Sequence, residues 1–362
     1  MSKLTTAYIG LGSNLGNRQD SIRKALEMLR KAAHIEVARV SDPVETTPLD
    51  GREQPNYLNA IAEIKTTLSA ENLHKILLEI ETSLGRLRTE KWSPRVIDLD
   101  LLLFGGEIIN SPYLTVPHPQ MHLRSFVLNG LCHLNPKLVH PVLKESTKEL
   151  TSRLCGADFT LNPILPQLIS VAGIIGVGKT TLAKKLSSLF GCKLLLEPYD
   201  TNPFLPDVYA GKKELSLDSQ LYFLTSRIAQ LNPEVLQPGQ LAVTDYVFNK
   251  ELIYAKRLLN AQQMAIYEKI YQPLSAKVAA PVLVIYLRDS AEKCLQRIHK
   301  RNRPYEQTIT KQFLGELNCD YEQLFADWKL CPVIRISMSE FDCNKNGDVS
   351  RLADEIKSYV AS

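Results

Sequence analysis

The 362 residues carry 43 Lys and Arg against 39 Asp and Glu, a net charge of +4, with 44% apolar and 23% charged residues. This is the balance of an ordinary globular chain long enough for two domains, and it excludes disordered, low-complexity and strongly basic nucleic-acid-binding classes as the default. No run of about 18 uncharged apolar residues suggests a membrane span, the seven scattered cysteines show no C-x-x-C spacing, and the apolar run at the start is too short for a secretory signal. A cytoplasmic protein with reduced thiols, and with neither nucleic acid nor membrane as partner, is expected.

In chain order, AYIGLG reads as a strand, and residues 17–31 place Ile22, Ala25, Leu26 and Leu29 at helical spacing. A strand near 35–46 follows, then one in which Leu58, Ala60, Ala62 and Ile64 alternate. Next comes a helix with Leu73, Ile76, Leu77, Ile80 and Leu84 that stops at Gly85, and finally the strand VIDLDLLLF. The order β-α-β-β-α-β predicts an α+β, ferredoxin-like domain with residues 107–160 added to it. Such a topology hosts many functions and decides none. Between Ser152 and Gln167 the periodicity lapses into RLCGADFTLNPILPQ, the composition of a connection. The predicted division is 1–160, a linker at 161–167, and 168–362.

Beyond the linker, strand and helix alternate: ISVAG, a helix from Lys179, KLLLE, a helix with Leu217, Leu221, Leu224, Ile228 and Leu231, then LAVTD. VLVIYL, two further helices, VIRIS and a last helix from Val349 complete the series. Near-continuous apolar strands separated by helices predict an α/β domain with a parallel sheet covered on both faces.

The first chemistry-bearing stretch of this half is GIIGVGKT, with Gly173, Gly176, Gly178, Lys179 and Thr180 directly behind a buried strand. Glycines let backbone N–H groups turn toward a phosphate at a helix N-terminus, Lys179 reaches the β and γ phosphates, and Thr180 ligates Mg²⁺. Glu197 ends the strand LLLE, where open α/β sheets bind ligands; it is either a general base or a cap on the next turn. Gln220 and Arg227 lie seven apart on one helical face, as site groups or as a solvated stripe. Asp245 closes LAVTD, suited to Mg²⁺ or its water shell, or to capping the next helix. Arg297, Arg301 and Arg303 could fold over a triphosphate or form a solvated basic helix end.

Together these stretches resemble the deoxynucleoside kinases over nearly all of residues 167–362. The resemblance implies that Glu197 activates a sugar 5′-hydroxyl and that Gln220 and Arg227 bind the base and support that carboxylate. It further implies that Arg297, Arg301 and Arg303 form an arginine lid, that Glu306 contacts the sugar, and that two copies pair through this half. Asp245-Tyr246-Val247 departs from the acid-Arg-Ser of many members, and whether Lys250 replaces the arginine is left open. An amide such as Gln220 permits a purine without demanding one, and deoxyadenosine or deoxyguanosine is the favoured substrate. The rival reading is another small-molecule P-loop kinase or an ATPase.

In the first half, KWSPRVIDLDLLLF sets Asp98 and Asp100 two apart on a strand, so both carboxylates leave one face with Cα atoms about 6.6 Å apart. Leu99, Leu101 and Leu103 are expected to cover the opposite face. Paired acids beside Arg95 suit Mg²⁺ bridging an ATP triphosphate, or else an exposed edge-strand face with an Arg–Asp pair.

From AYIGLGSNLG (Gly12, Ser13, Asn14) through PNYLNA and GRLR to KWSPRVIDLDLLLFG and VPHPQMHLRSFVL, about residues 5–155 resemble 6-hydroxymethyl-7,8-dihydropterin pyrophosphokinase. The resemblance implies transfer of pyrophosphate from ATP to a pterin alcohol, with Asp98 and Asp100 on Mg²⁺. Thr46, Leu49, Tyr57, Asn59, Trp92 and Phe126 would form the pterin site. Arg86, Arg88 and Arg95 would act on the transferring phosphates, and Glu81, His118 and Arg124 would meet ATP. The rival is a non-catalytic module that regulates the kinase half. Two further patterns are set aside. His118 and His122 stand four apart, but Pro117 and Pro119 bar a helix. DCNKNGDVSRLA opens like a calcium loop, but its twelfth position is Ala353.

Overall fold

Strand β1 (Thr5–Ser13) is central to its sheet because apolar side chains leave it on both sides: Ala7, Ile9 and Leu11 toward one core, Tyr8 toward another. The computed structural model describes residues 4–48, 54–86, 93–159 and 162–360. The chain divides into two compact units, Met1–Leu154 with Asp158–Thr160, and Cys155–Ala157 with Leu161–Ser362.

Helix α1 (Arg18–Lys31) starts where the Asn17 side chain accepts from the Asp20 amide at 3.1 Å, and it buries Ile22, Ala25 and Leu29. Strand β2 (Ile35–Val40) and the short β3 (Val44–Thr46) are separate, so the run expected at 35–46 is broken. Pro43 has no N–H to donate to a ladder at that point. Strand β4 (Tyr57–Thr66), helix α2 (Ala70–Ser83), capped by Ser69, and strand β5 (Asp98–Phe104) follow. The sheet is antiparallel in the order β2-β4-β1-β5, with β3 also on β4.

Beyond β5 come a small hairpin, β6 (Ile109–Asn110) with β7 (Thr115–Val116), helix α3 (Ser125–Leu134) and helix α4 (Thr147–Arg153). Helices α1 and α2 cover one face of the sheet. Met121 and the α3 residues Val127, Leu131 and Leu134 cover part of the other, against Tyr8, Ile61, Leu102 and Leu103. Leu103 therefore does not share a face with Leu99 and Leu101. A register shift between Tyr8 and Ile9 pairs Tyr8 with Leu103 and Ile9 with Leu101, a bulge that moves Leu103 across the sheet.

The second unit's sheet has the order β10-β11-β9-β12-β13-β8. Strands β9 (Gln167–Ala172), β10 (Lys193–Leu195), β11 (Leu241–Thr244), β12 (Leu283–Arg288) and β13 (Pro332–Ser337) pair parallel, as their apolar runs predict. Strand β8 (Leu154–Gly156), from the segment read as connection, adds an edge and makes the sheet mixed. A Cβ at Gly156, whose φ is +84°, would stand 2.5 Å from the Cys331 carbonyl oxygen, so glycine is what allows the approach.

The helices of this unit are α5 (Lys179–Phe190), α6 (Leu205–Tyr209), α7 (Ser216–Leu231), α8 (Lys250–Leu258), α9 (Ala261–Ser275), α10 (Ala291–Arg301), α11 (Lys311–Ala326) and α12 (Asn346–Lys357). The last begins at Asn346 rather than Val349, and α6, α8 and α9 have no counterpart in the sequence expectation.

Candidate active sites

In the first unit a cavity of about 380 Å³ opens over the end of the sheet where β1 and β5 pair. Asp98 stands opposite Gly12 and Asp100 opposite Gly10, so neither acid faces a side chain on β1. Gly12 is required by space: a Cβ there would come within 2.9 Å of the Asn59 Oδ1 atom. Asn59 donates to Thr46 Oγ1 at 2.8 Å, which links β4 to β3 beneath the cavity. Tyr57, Asn59, Thr46 and Phe126 all line it, together with Arg95, His118 and Arg124. Leu49, Arg88 and Trp92 lie outside the described residues.

Asp98 accepts Arg95 at 2.7 Å and Arg86 at 2.6 Å. Asp100 stands 3.9 Å from both His118 Nε2 and Arg124 Nη1. Burial, then the neighbouring Asp100 charge, pushes the Asp98 carboxyl up. For Asp100 burial is outweighed by His118, Arg124 and Arg95, which hold it low. Burial pulls His118 down, and its Nδ1 accepts from the Gln120 amide at 3.2 Å.

Glu81 is set back from the cavity. It is 2% exposed, accepts from the Leu99 amide at 2.7 Å and pairs with Arg86, and burial raises its pKa to about 7. That places it as a brace between α2 and β5. Asn14, part of the G-S-N stretch, is a second brace. Its Oδ1 accepts from the Arg95 amide at 2.8 Å, its own amide donates to the Arg95 carbonyl at 3.1 Å, and its Nδ2 reaches Gln54 at 3.2 Å. The polar Ser13-Asn14 pair directly behind the apolar strand is the signal that could have found it.

In the second unit a cavity of about 300 Å³ joins the phosphate loop to an aromatic chamber. Gly173 and Gly176 have φ of +134° and +81°, and a Cβ on either would sit 2.5 Å from a carbonyl oxygen, of Leu287 and Cys294 respectively. Gly178 (φ +112°) is the N-cap of α5, so the loop aims its amides along the helix start. Lys179 donates to the Ile174 carbonyl at 2.9 Å, and its pKa is lowered by burial. Thr180 donates to Asp245 Oδ2 at 2.6 Å, while Asp245 Oδ1 accepts from the Glu197 amide at 2.8 Å.

Glu197 faces this loop, gripped by Arg227 from α7 and Lys250 from the start of α8, both on Oε1. Burial would raise its pKa, but Lys250 and Arg227 outweigh burial and hold it at about 2. Arg227 also pairs with Glu251, which accepts from Tyr267 at 2.7 Å. Gln220 lies on the same face of α7, 3% exposed and lining the cavity beside Phe223. Its amide makes no hydrogen bond to protein among the described residues.

The three arginines converge rather than dangle. Arg297 pairs with Asp289 at 2.6 Å and reaches the Gly176 carbonyl at 3.4 Å. Arg301 binds Glu306 at 2.5 Å, and Arg303 lies 4.8 Å from the centre of the Tyr199 ring and 3.5 Å from Glu306. Lys250, which the sequence left open as a replacement for the absent arginine, is at the site; Glu251, Tyr199, Tyr209 and Tyr254 were missed by sequence reasoning. The available signal was only that Lys250 and Glu251 follow a strand-end acid by one short turn. The calcium-like stretch is engaged otherwise: Lys185 Nζ donates to the Asn344 carbonyl at 3.0 Å and to Asn346 Oδ1 at 3.2 Å.

Residues 8–136 match the 7,8-dihydro-6-hydroxymethylpterin-pyrophosphokinase family and residues 169–361 the deoxynucleoside kinase family. The chain is 42% identical over 147 residues to the 2-amino-4-hydroxy-6-hydroxymethyldihydropteridine pyrophosphokinase of Bacillus subtilis (strain 168), covering 41% of this chain and 86% of that protein. It is 35% identical over 201 residues to the deoxyguanosine kinase of the same organism, covering 53% of this chain and 97% of that protein. A solved deoxyadenosine kinase from M. mycoides with bound dATP is 24% identical with a TM-score of 0.45, over 53% of this chain and 99% of that one.

Proposed function

Because the chain belongs to the hydroxymethylpterin pyrophosphokinase family in its N-terminal half and to the deoxynucleoside kinase family in its C-terminal half, we propose that it is a bifunctional ATP-dependent transferase. The first unit moves pyrophosphate from ATP to 6-hydroxymethyl-7,8-dihydropterin and releases AMP. The second moves one phosphoryl group to the 5′-hydroxyl of a deoxynucleoside and releases ADP. The first is taken as 1–160 with the ferredoxin-like βαββαβ arrangement that its strand order supports, the linker as 161–167 and the second as 168–362.

For the first unit the carrying observation is that Asp98 and Asp100 share one cavity with Tyr57, Asn59 and Phe126. A flat heterocycle stacks on the aromatic rings while the Asn59 amide reads its edge. Arg86 and Arg95, now on Asp98, and Arg124, near Asp100, are placed to turn onto the phosphates. The donor set fits Mg²⁺: hard carboxylate oxygens on one side, with ATP oxygens and water completing the shell. Held by Asp98 and Asp100, and by Thr180 and Asp245 in the second unit, the ion would offset charge on the phosphate oxygens. A regulatory module would have no use for this convergence of acids, arginines and an aromatic cleft.

For the second unit it is Glu197 and Gln220 in one cavity with the phosphate loop. A carboxylate held at about pKa 2 is a weak base, so its contribution is to orient the hydroxyl and accept its proton late, when the developing phosphate ester has made that proton acidic. Lys179, Arg297, Arg301 and Arg303 surround the phosphates, and Glu306 meets the sugar. The Gln220 amide offers a donor and an acceptor to a purine edge, and the deoxyguanosine kinase relative favours guanine.

Nucleotide products separate the two activities in one tube. Asp98→Ala stops AMP formation with the pterin alcohol and leaves ADP formation with a deoxynucleoside. Lys179→Ala, or Glu197→Gln with a loss of about 10²-fold or more, does the reverse. Loss of both products in a folded Asp98→Ala protein refutes two independent sites. Turnover of thymidine alone in a nucleoside panel refutes the purine preference.

A further inference from the structure

The arginine that many members of the family carry after the third strand is absent here, and the side chain in its place does other work. Tyr246 donates to Gln230 Oε1 at 2.6 Å, and its ring centre lies 5.5 Å from the Arg227 guanidinium carbon. The second cation at Glu197 is Lys250, the first residue of α8, which is 3% exposed and lines the nucleoside cavity. Its ammonium pairs with Glu197 Oε1 and lies 5.3 Å from the centre of the Tyr254 ring.

Two details make this more than burial of a stray charge. Arg227 and Lys250 meet the same oxygen of Glu197, and among the described residues Oε2 accepts no hydrogen bond from protein. Arg227 is also shared with Glu251, so Glu197, Glu251 and Arg227 alone would leave one negative charge in excess within a buried group. Lys250 balances it.

We propose that Lys250 is a positioning residue for phosphoryl transfer: together with Arg227 it clamps Oε1 of Glu197 and so presents Oε2 to the acceptor hydroxyl. The inference rests on the kinase reading of the second unit. As the 5′-oxygen bonds to the γ-phosphorus, the bond from that phosphorus to the bridging oxygen breaks and ADP leaves with its electron pair. The hydroxyl proton passes to Glu197 Oε2 and then to solvent. A carboxylate free to rotate, or one protonated for want of a partner, would do this less well.

The groups facing Lys250 are Glu197, Arg227 and Lys179, with Glu251 and Tyr254 on its own helix. Tyr209 and Tyr321 stand around Tyr254. Burial lowers the ammonium to a pKa of about 8 against the pull of Glu197, so the clamp loosens on the alkaline side.

The test compares the full-length protein with Lys250→Met and Lys250→Arg, measuring kcat and KM for deoxyguanosine across pH 6 to 10, with thermal melts as a folding control. Expected are a kcat loss of about 10²-fold in Lys250→Met, a smaller change in KM, and recovery to within about tenfold in Lys250→Arg. Wild-type kcat is expected to fall above pH about 8 and that limb to disappear in Lys250→Arg, because a guanidinium stays charged; a merely structural lysine would not move it. A folded Lys250→Met enzyme with wild-type kcat overturns the proposal, as does an alkaline limb shared by wild type and Lys250→Arg. If the wild type phosphorylates no deoxynucleoside, the kinase reading fails instead.

Discussion

His140 is held by two backbone donors, the amides of Val142 at 3.3 Å and Leu143 at 3.1 Å, both on Nδ1. That arrangement needs a neutral ring, and burial, then the Arg153 charge, lowers its pKa to about 4. His122, whose ring meets it edge-on at 5.7 Å, is lowered to about 3 by burial and by His140. Both folded values lie below the ordinary 6.5, so the unfolded chain takes up these protons first as pH falls. Their contribution to stability is complete above about pH 6.5 and is lost on acidification, by ~1.4 kcal/mol per pH unit for each ring. Urea denaturation of the N-terminal unit followed from pH 7 to pH 4 measures this. His140→Gln, which can still accept from the two amides, is expected to flatten the dependence.

Helix α3 approaches β4 so closely that a side chain on Gly130 would place its Cβ 2.5 Å from Ile61 Cγ1. In an open helix Gly→Ala stabilises by about 1 kcal/mol; here overpacking reverses the sign, and Gly130→Ala costs ~1–3 kcal/mol in the same denaturation assay. Ile61→Ala in the same chain recovers part of it, a coupling expected of residues in contact. This packing also explains what the sequence concealed. Alternation along β4 suggested one buried face, yet Ile61 and Glu63 on the other face are buried too, the first under α3 and the second against Tyr8 and Arg39. Strand ends and helix faces made Asp98, Asp100, Glu197, Gln220 and Arg227 legible, because position in a regular element constrains where a side chain goes. Lys250 was legible only as an open candidate for the absent arginine, and Glu251 not at all, because the helix that carries both was not foreseen and the partners that bury them come from other elements. The bulge that moves Leu103 was likewise invisible, being a property of pairing with β1 and not of β5 itself.

Across the whole chain 43 basic residues yield a net charge of only +4, and the two phosphate-handling sites repeat that balance in miniature. Arg86 and Arg95 rest on Asp98, Arg297 on Asp289, Arg301 on Glu306, and Arg227 and Lys250 on Glu197. Each site carries its own counter-ions, fixed to the backbone. An arriving nucleotide therefore meets few dissolved anions to expel; Arg86, Arg95, Arg297 and Arg301 turn from their carboxylates onto its phosphates, while Arg227 and Lys250 stay on Glu197. The usual penalty of ionic strength on a basic binding site falls on dissolved ions that must be displaced, and here few are. Raising salt from about 0.05 to about 0.2 M is expected to shift KM for ATP by less than about threefold in either activity. A steep salt dependence at one site would identify cations there that stand bare before ATP arrives. Long polyanions, which owe their grip to counter-ion release, gain little from arginines already neutralised from within.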